Sequence, residues 1–211
     1  MKFSGLLFPS RCAVCRKICA DGLCPDCRSL LPFTVRPVRE GAGYGRCAAP
    51  LFYEGVAREA ILRYKFSNGL SAADGFAYLM AESAAEAFPG GFDTVTWVPV
   101  SKKRRRRRGY DQSELLAEKM AELWDIKAVR LLEKTADNPA QSSLSSAAER
   151  RGNVLGVYET VNGDKIRGAK ILLVDDILTT GATLGECARV LRDAGAESVV
   201  CAVLAVTPEK A

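Results

Sequence analysis

Ile171-Leu172-Leu173-Val174-Asp175-Asp176-Ile177-Leu178-Thr179-Thr180-Gly181-Ala182-Thr183 is the stretch on which the reading of this chain turns. Four consecutive aliphatics predict a strand buried on both faces, the mark of a central strand in a parallel sheet. Two carboxylates follow at its end. Neighbouring strand residues point to opposite faces. For both acids to serve one ligand, the chain must already be leaving the sheet at Asp176. Two adjacent carboxylates suit a pair of vicinal hydroxyls, each donating a hydrogen bond. A small, hydroxyl-rich turn then opens a helix. Its amides, the helix dipole and the threonine hydroxyls form an anion cradle. Gly181 permits the turn and a close backbone approach. Hydroxyls on one side and a phosphate on the other describe a ribose 5-phosphate. The rival reading is a buried strand running into a capped helix.

Around this stretch the pattern is α/β. Leu51–Tyr53, Thr94–Val98, Ala128–Leu132, Lys170–Val174 and Ser198–Val206 read as strands. Val56–Phe66, Ala72–Phe88, Gln112–Trp124 and Thr183–Ala194 carry helical spacing. Strands alternating with helices predict a parallel sheet with crossover helices, and ligands of such sheets bind outside the carboxyl ends of the strands. Lys134–Ser146 is polar and reads as a long loop. The domain division expected is a cysteine-rich unit over 1–46 and an α/β domain over 47–211.

The chain has 211 residues, 48% hydrophobic and 26% charged, with eight cysteines and no histidine. That balance belongs to a globular protein. No apolar run approaches the length of a membrane span, and Phe3–Pro9 is too short for a signal-peptide core. The expectation is a soluble cytoplasmic protein with no membrane insertion. Cys12 with Cys15, and Cys24 with Cys27, form two CxxC pairs. Each pair brings two thiolates together from one turn, and two pairs complete a tetrahedron around structural zinc. Four buried thiols or a redox pair is the competing reading. Cys19 and Cys47 read as non-ligands, Cys187 and Cys201 as core residues.

The net charge is +5, yet Lys102–Arg108 are seven consecutive cations, without which the rest of the chain stands at −2. A polyanion is therefore expected at one place; a solvated loop is the plain alternative. Ser101, Lys102 and Lys103 end the Thr94–Val98 strand on its ligand side. Surplus guanidinium groups at Arg104, Arg105, Arg106, Arg107 and Arg108 suit a nucleic-acid backbone. Tyr110 can stack on a base or pack in the core.

The 171–183 run resembles the phosphoribosyl pyrophosphate (PRPP) motif of type I phosphoribosyltransferases. By that resemblance Asp175 and Asp176 are the candidate catalytic residues and hold the ribose hydroxyls. Thr179, Thr180, Gly181, Ala182 and Thr183 hold the 5′-phosphate, Ser101, Lys102 and Lys103 the pyrophosphate, and Mg²⁺ accompanies PRPP. Three further segments narrow the match: Trp97–Lys102, Arg108-Gly109-Tyr110-Asp111-Gln112-Ser113 through Ala117, and the pair Asn138–Leu144 and Glu149–Val154. With the cysteine pairs, the chain is similar along its length to the ComF family. The resemblance implies a zinc ribbon before a type I phosphoribosyltransferase-like domain, and a role in uptake of transforming DNA. It also implies single-stranded DNA as a ligand and a DNA-uptake helicase docking through the zinc ribbon. Gln141, Arg150 and Asn153 occupy the place of the mobile catalytic loop. The family usually has asparagine where this chain has Asp111, and Tyr44 stands where some members place a further cysteine.

Three functions follow as expectations. The first is a PRPP- and single-strand-binding protein of DNA uptake. The second is an active phosphoribosyltransferase acting on a free base, which needs charge stabilisation and a metal more than a histidine. The third is a zinc-ribbon adapter with a vestigial pocket. Five residues follow the final strand, so a base-binding hood would have to come from residues before about 90. That region is committed to the ribbon and two helices, which ranks the first above the second.

Overall fold

A computed structural model of the chain describes residues 11–20, 22–66, 70–136 and 155–208. Among them the main sheet has six strands: β1 (Val38–Gly41), β2 (Gly45–Ala48), β3 (Leu51–Phe52), β4 (Thr94–Trp97), β7 (Lys170–Leu178) and β8 (Ser198–Val206). Their order is β1-β2-β8-β7-β4, with β3 also on β8. β2, β3 and β7 run parallel to β8, and β4 parallel to β7; only β1 is antiparallel, to β2. The sheet is thus mostly parallel, as the alternation predicts, and its parallel strands and flanking helices agree with the type I phosphoribosyltransferase-like domain that the resemblance implies. A separate ribbon pairs β5 (Leu132–Lys134) with β6 (Tyr158–Thr160).

Helices cover both faces. α2 (Gly55–Phe66), α3 (Ala73–Ala87) and α5 (Gln112–Leu123) pack on one face through Ile61, Phe76, Met80, Leu116 and Met120, against Leu172, Val174 and Leu204. α6 (Ala182–Asp193) and the β5–β6 ribbon cover the other, where Leu184, Leu191, Leu132 and Tyr158 meet Ile171, Leu173 and Val203. The four aliphatics of β7 are fully buried. Each contributes about 1.5–3 kcal/mol relative to exposure, which keeps β7 in the interior of the sheet between β8 and β4.

Three expectations are corrected. The strand at Ala128–Leu132 is only a single parallel bridge from Ala128 to Val95, after which Leu132–Lys134 leaves to pair with β6. The chain does not leave the sheet at Asp176, because β7 stays paired to Leu178. Instead the face alternation slips: Leu172, Val174 and Ile177 pack on the α2–α3–α5 side, Leu173 and Leu178 on the α6 side. The cationic run Lys102–Arg108 forms a short helix, α4, capped by Ser101, whose Oγ accepts from the Arg104 amide. The division expected after residue 46 falls inside β2, so the sheet continues across it.

The cysteine-rich unit is seated on α3. Gly22 and Gly75 touch backbone to backbone; a Cβ on Gly75 would lie 2.3 Å from the Gly22 carbonyl oxygen. A larger residue at either position therefore pushes the unit off the helix. No described helix is long and apolar enough to cross a membrane.

Candidate functional site

The acid pair emerges at the carboxyl end of β7, where α2 and α5 of the same layer meet it. Asp175 Oδ1 accepts from Ser113 Oγ at 2.9 Å and from the Asp176 amide at 2.8 Å. Asp176 Oδ2 lies 2.9 Å from Lys65 Nζ, and both side chains are mostly buried, 16% and 15% exposed. The alternation slip in β7 thus brings two neighbouring acids to one helical layer without ending the strand. Burial first, then the neighbouring Asp176 charge, pushes the Asp175 carboxyl up to about 7, against hydrogen bonds from the Asp176 amide and Ser113 and the Lys65 charge. Like charges this close resist joint ionisation, and a ligand's hydroxyl donors would relieve that.

The turn after the acids is small and opens a helix. Thr179 and Thr180 are exposed, and Gly181 sits before α6 with φ of 74°. Thr180 Oγ1 accepts from the Ala182 amide at 3.5 Å. Gly181 has a second reason to be glycine: a Cβ there would lie 2.4 Å from the Tyr44 ring. Tyr44 comes from the β1–β2 hairpin, which Arg192 of α6 holds by donating to the Gly43 carbonyl at 3.0 Å. Tyr44 is therefore packed against the turn that precedes α6.

Asp111 is a buried acid. It caps α5, accepting from the Ser113 and Glu114 amides at 3.1 and 3.3 Å, and its other oxygen accepts from the Val100 amide at 2.9 Å. It ties the end of β4 to the start of α5. An asparagine oxygen can make the capping bonds, but its amide nitrogen cannot accept from the Val100 amide, so the tie between β4 and α5 uses the second carboxylate oxygen of Asp111. Tyr110 packs at 6.0 Å on the Tyr64 ring and donates to the Tyr64 carbonyl, settling it in the core.

The cations of α4 divide by direction. Arg108 turns inward: its Nη1 donates to Gln112 Oε1 at 2.6 Å and its Cζ lies 4.9 Å from the Phe66 ring centroid. Burial lowers its pKa. Arg105 pairs with Glu114 at 3.0 Å. Lys102, Lys103 and Arg106 line a cavity of about 480 Å³ with Ser101, Lys134 and Glu133. Four cations against one carboxylate suit a small polyanion. Gln141, Arg150 and Asn153 lie outside the described residues.

The four cysteines converge. The Cys12, Cys15, Cys24 and Cys27 sulfurs all lie within 4.8 Å of one another, with Cys15 and Cys24 3.8 Å apart. A tetrahedral zinc with bonds of about 2.3 Å requires sulfurs about 3.8 Å apart, so the donor set can hold a metal of that size. α1 (Pro25–Ser29) begins directly after Cys24 and carries Cys27; proline at a first helical position suits this turn. The Cys24 amide lies 3.5 Å from Cys12 Sγ. Cys19 is outside the cluster, and Cys47, Cys187 and Cys201 are buried in the sheet and α6, as expected.

Sequence reading missed Lys65, Ser113 and Lys134 as members of these sites, and placed Arg106 with the nucleic-acid contacts rather than in the cavity. Ser113 lay in the quoted Arg108–Ala117 segment, but nothing about Lys65 or Lys134 distinguishes it from other surface lysines in sequence.

A phosphoribosyl transferase domain model matches residues 111–211. Competence protein F of Haemophilus influenzae is 32% identical over 108 residues, 51% of this chain and 47% of that protein. Competence protein ComFC of Bacillus subtilis is 29% identical over 143 residues, 68% of this chain and 56% of that protein. ComFC of Streptococcus pneumoniae is 29% identical over 188 residues, 89% of this chain and 77% of that protein. The matches thus span about half the length of the first two relatives.

Proposed function

From the premise that this chain is a homologue of the ComF-type competence proteins and carries a phosphoribosyl transferase domain, we propose that it binds PRPP and single-stranded DNA in DNA uptake. The observation that carries the reading is the acid pair at the end of β7, beside a threonine-glycine turn that opens α6. Asp175 and Asp176 accept the ribose hydroxyls. Residues 179–183 hold the 5′-phosphate through amides and hydroxyls at the positive end of α6. Ser101, Lys102 and Lys103, joined by Arg106 and Lys134, take the pyrophosphate in the cationic cavity. Mg²⁺ supplies charge neutralisation to the diphosphate when bound. The ribbon cysteines hold one structural zinc, and its exposed side is the docking face for a DNA-uptake helicase.

The exposed cations of α4 supply phosphate contacts for a single strand. The rival reading, transfer of ribose 5-phosphate to a base, gains one specific observation: Lys65, from the region before residue 90, reaches the acid pair. Calorimetry with PRPP and Mg²⁺ tests the central reading. Asp175→Ala with Asp176→Ala should abolish binding with the fold retained. Unchanged affinity would remove the ribose assignment. Pyrophosphate release with a panel of bases decides between binding and transfer.

A further inference from the structure

Next to the acid pair lies a feature that the phosphate contacts leave unused. Phe66, the last residue of α2, is 59% exposed. The Arg108 guanidinium backs its ring at 4.9 Å. Lys65, its chain neighbour, bonds Asp176. Arg108 is in turn held by Gln112 Oε1 at 2.6 Å. That bond fixes the orientation of the Gln112 amide and leaves Nε2 as its other end.

Two donors at this spot have no partner among the described residues: Gln112 Nε2 and Arg108 Nε, both buried, on a glutamine that is itself 0% exposed. Buried polar groups in native proteins are satisfied, and an exception calls for a ligand, water or ion. Here the surplus is of donors and positive charge, so the missing partner supplies acceptors. An exposed aromatic face beside them adds a surface for stacking. A planar ring with carbonyl oxygens and ring nitrogens meets both requirements. An amine or a metal ion meets neither.

We propose that Phe66, backed by Arg108 and positioned through Gln112, is a stacking shelf for a nucleobase. The proposal rests on the ribose reading of the acid pair, since a base joined to a ribose lies beside it, and Lys65 links shelf to acids. Stacking on an aromatic face tolerates any base, and cation–π contact from Arg108 strengthens the ring as a platform. Two sources share this chemistry: a free base brought to PRPP, or a base within a single strand led in by the neighbouring cations of α4.

The test uses the full chain with its metal. Wild type, Phe66→Ala and Phe66→Trp are titrated against a labelled oligo-adenylate, an abasic strand of the same length, and free adenine and uracil with PRPP and Mg²⁺ present. Phe66→Ala should weaken the oligo-adenylate roughly 5- to 150-fold, with the abasic strand and the salt slope unmoved, and Phe66→Trp should restore affinity. Loss on the free bases alone assigns the shelf to a free acceptor, and loss on the strand alone assigns it to nucleic acid. Equal affinity of wild type and Phe66→Ala for every base-bearing probe overturns the shelf, as does an equal loss on the abasic strand. PRPP affinity, read separately, reports on the acid pair. If PRPP fails to bind, the ribose reading falls, and the oligonucleotide arm, run without PRPP, still decides the shelf.

Discussion

Asp175→Asn should stabilise the protein at neutral pH while abolishing PRPP binding. The asparagine oxygen still accepts from Ser113 Oγ and the Asp176 amide, the two bonds that Asp175 Oδ1 makes. What it removes is a charge beside Asp176. Burial and that neighbour raise the Asp175 carboxyl from 3.8 to about 7. A group whose folded pKa is raised gives stability that is fully present below the unfolded value and is lost as pH climbs through the folded one. For the wild type this loss occupies the window from about pH 4 to about pH 7. At about 1.4 kcal/mol per unit the ceiling is about 4 kcal/mol. Solvent screening at the strand end, where Asp175 is only half-buried, reduces it to about 2 kcal/mol. For a chain of this size that is about 4–8 °C in Tm. Thermal melts of both proteins from pH 4 to 8.5 measure it. The curves should meet near pH 4 and separate to a plateau above about pH 7.5, the asparagine variant higher. Parallel curves at all pH values, or a variant less stable at pH 8, would refute an acid pair held under mutual repulsion. Asp176→Asn removes the neighbouring charge that helps raise the Asp175 carboxyl, so it should narrow the same window.

Elemental analysis of protein prepared without chelator should find one zinc per chain, and Cys24→Ser should release it and expose the cysteine-rich unit to protease. Gly75→Ala places a methyl group against the Gly22 carbonyl; it should cost about 1–3 kcal/mol and loosen the unit in limited proteolysis, with PRPP affinity retained in calorimetry. Replacing Lys102, Lys103, Arg106 and Arg107 with alanine should flatten the salt dependence of oligonucleotide binding. With Arg104 half-buried, Arg105 held by Glu114 and Arg108 turned to Phe66, about four exposed cations remain, and the wild-type log–log slope in anisotropy titrations should be near −2.8. A slope unchanged by the replacement would place the strand elsewhere.

Much of the architecture was legible because it is written in local pattern. Ile171–Val174 are fully buried, and a run of four aliphatics has few other uses than a central strand. The two CxxC pairs specify their convergence by spacing alone, since two tight turns suffice to gather four sulfurs. The threonine-glycine turn was readable because a left-handed residue before a helix asks for glycine. Three things were not readable, and each depends on contacts between distant segments. The strand keeps its pairing past Asp176 because β8 runs alongside to Val206, a partner that periodicity in one segment cannot reveal. The cationic run became a helix because Ser101 caps it and the inward turn of Arg108 gives one charge a stacked, hydrogen-bonded place, contacts that a run of like charges does not announce. Lys65 met Asp176, and Tyr44 met Gly181, across 111 and 137 residues of chain. Sequence alone determined which chemical groups this protein presents and which backbone turns it can make. Which groups face one another was decided by packing, because the burial of α2 and the β1–β2 hairpin against the sheet carries their side chains to sites that neither segment encodes.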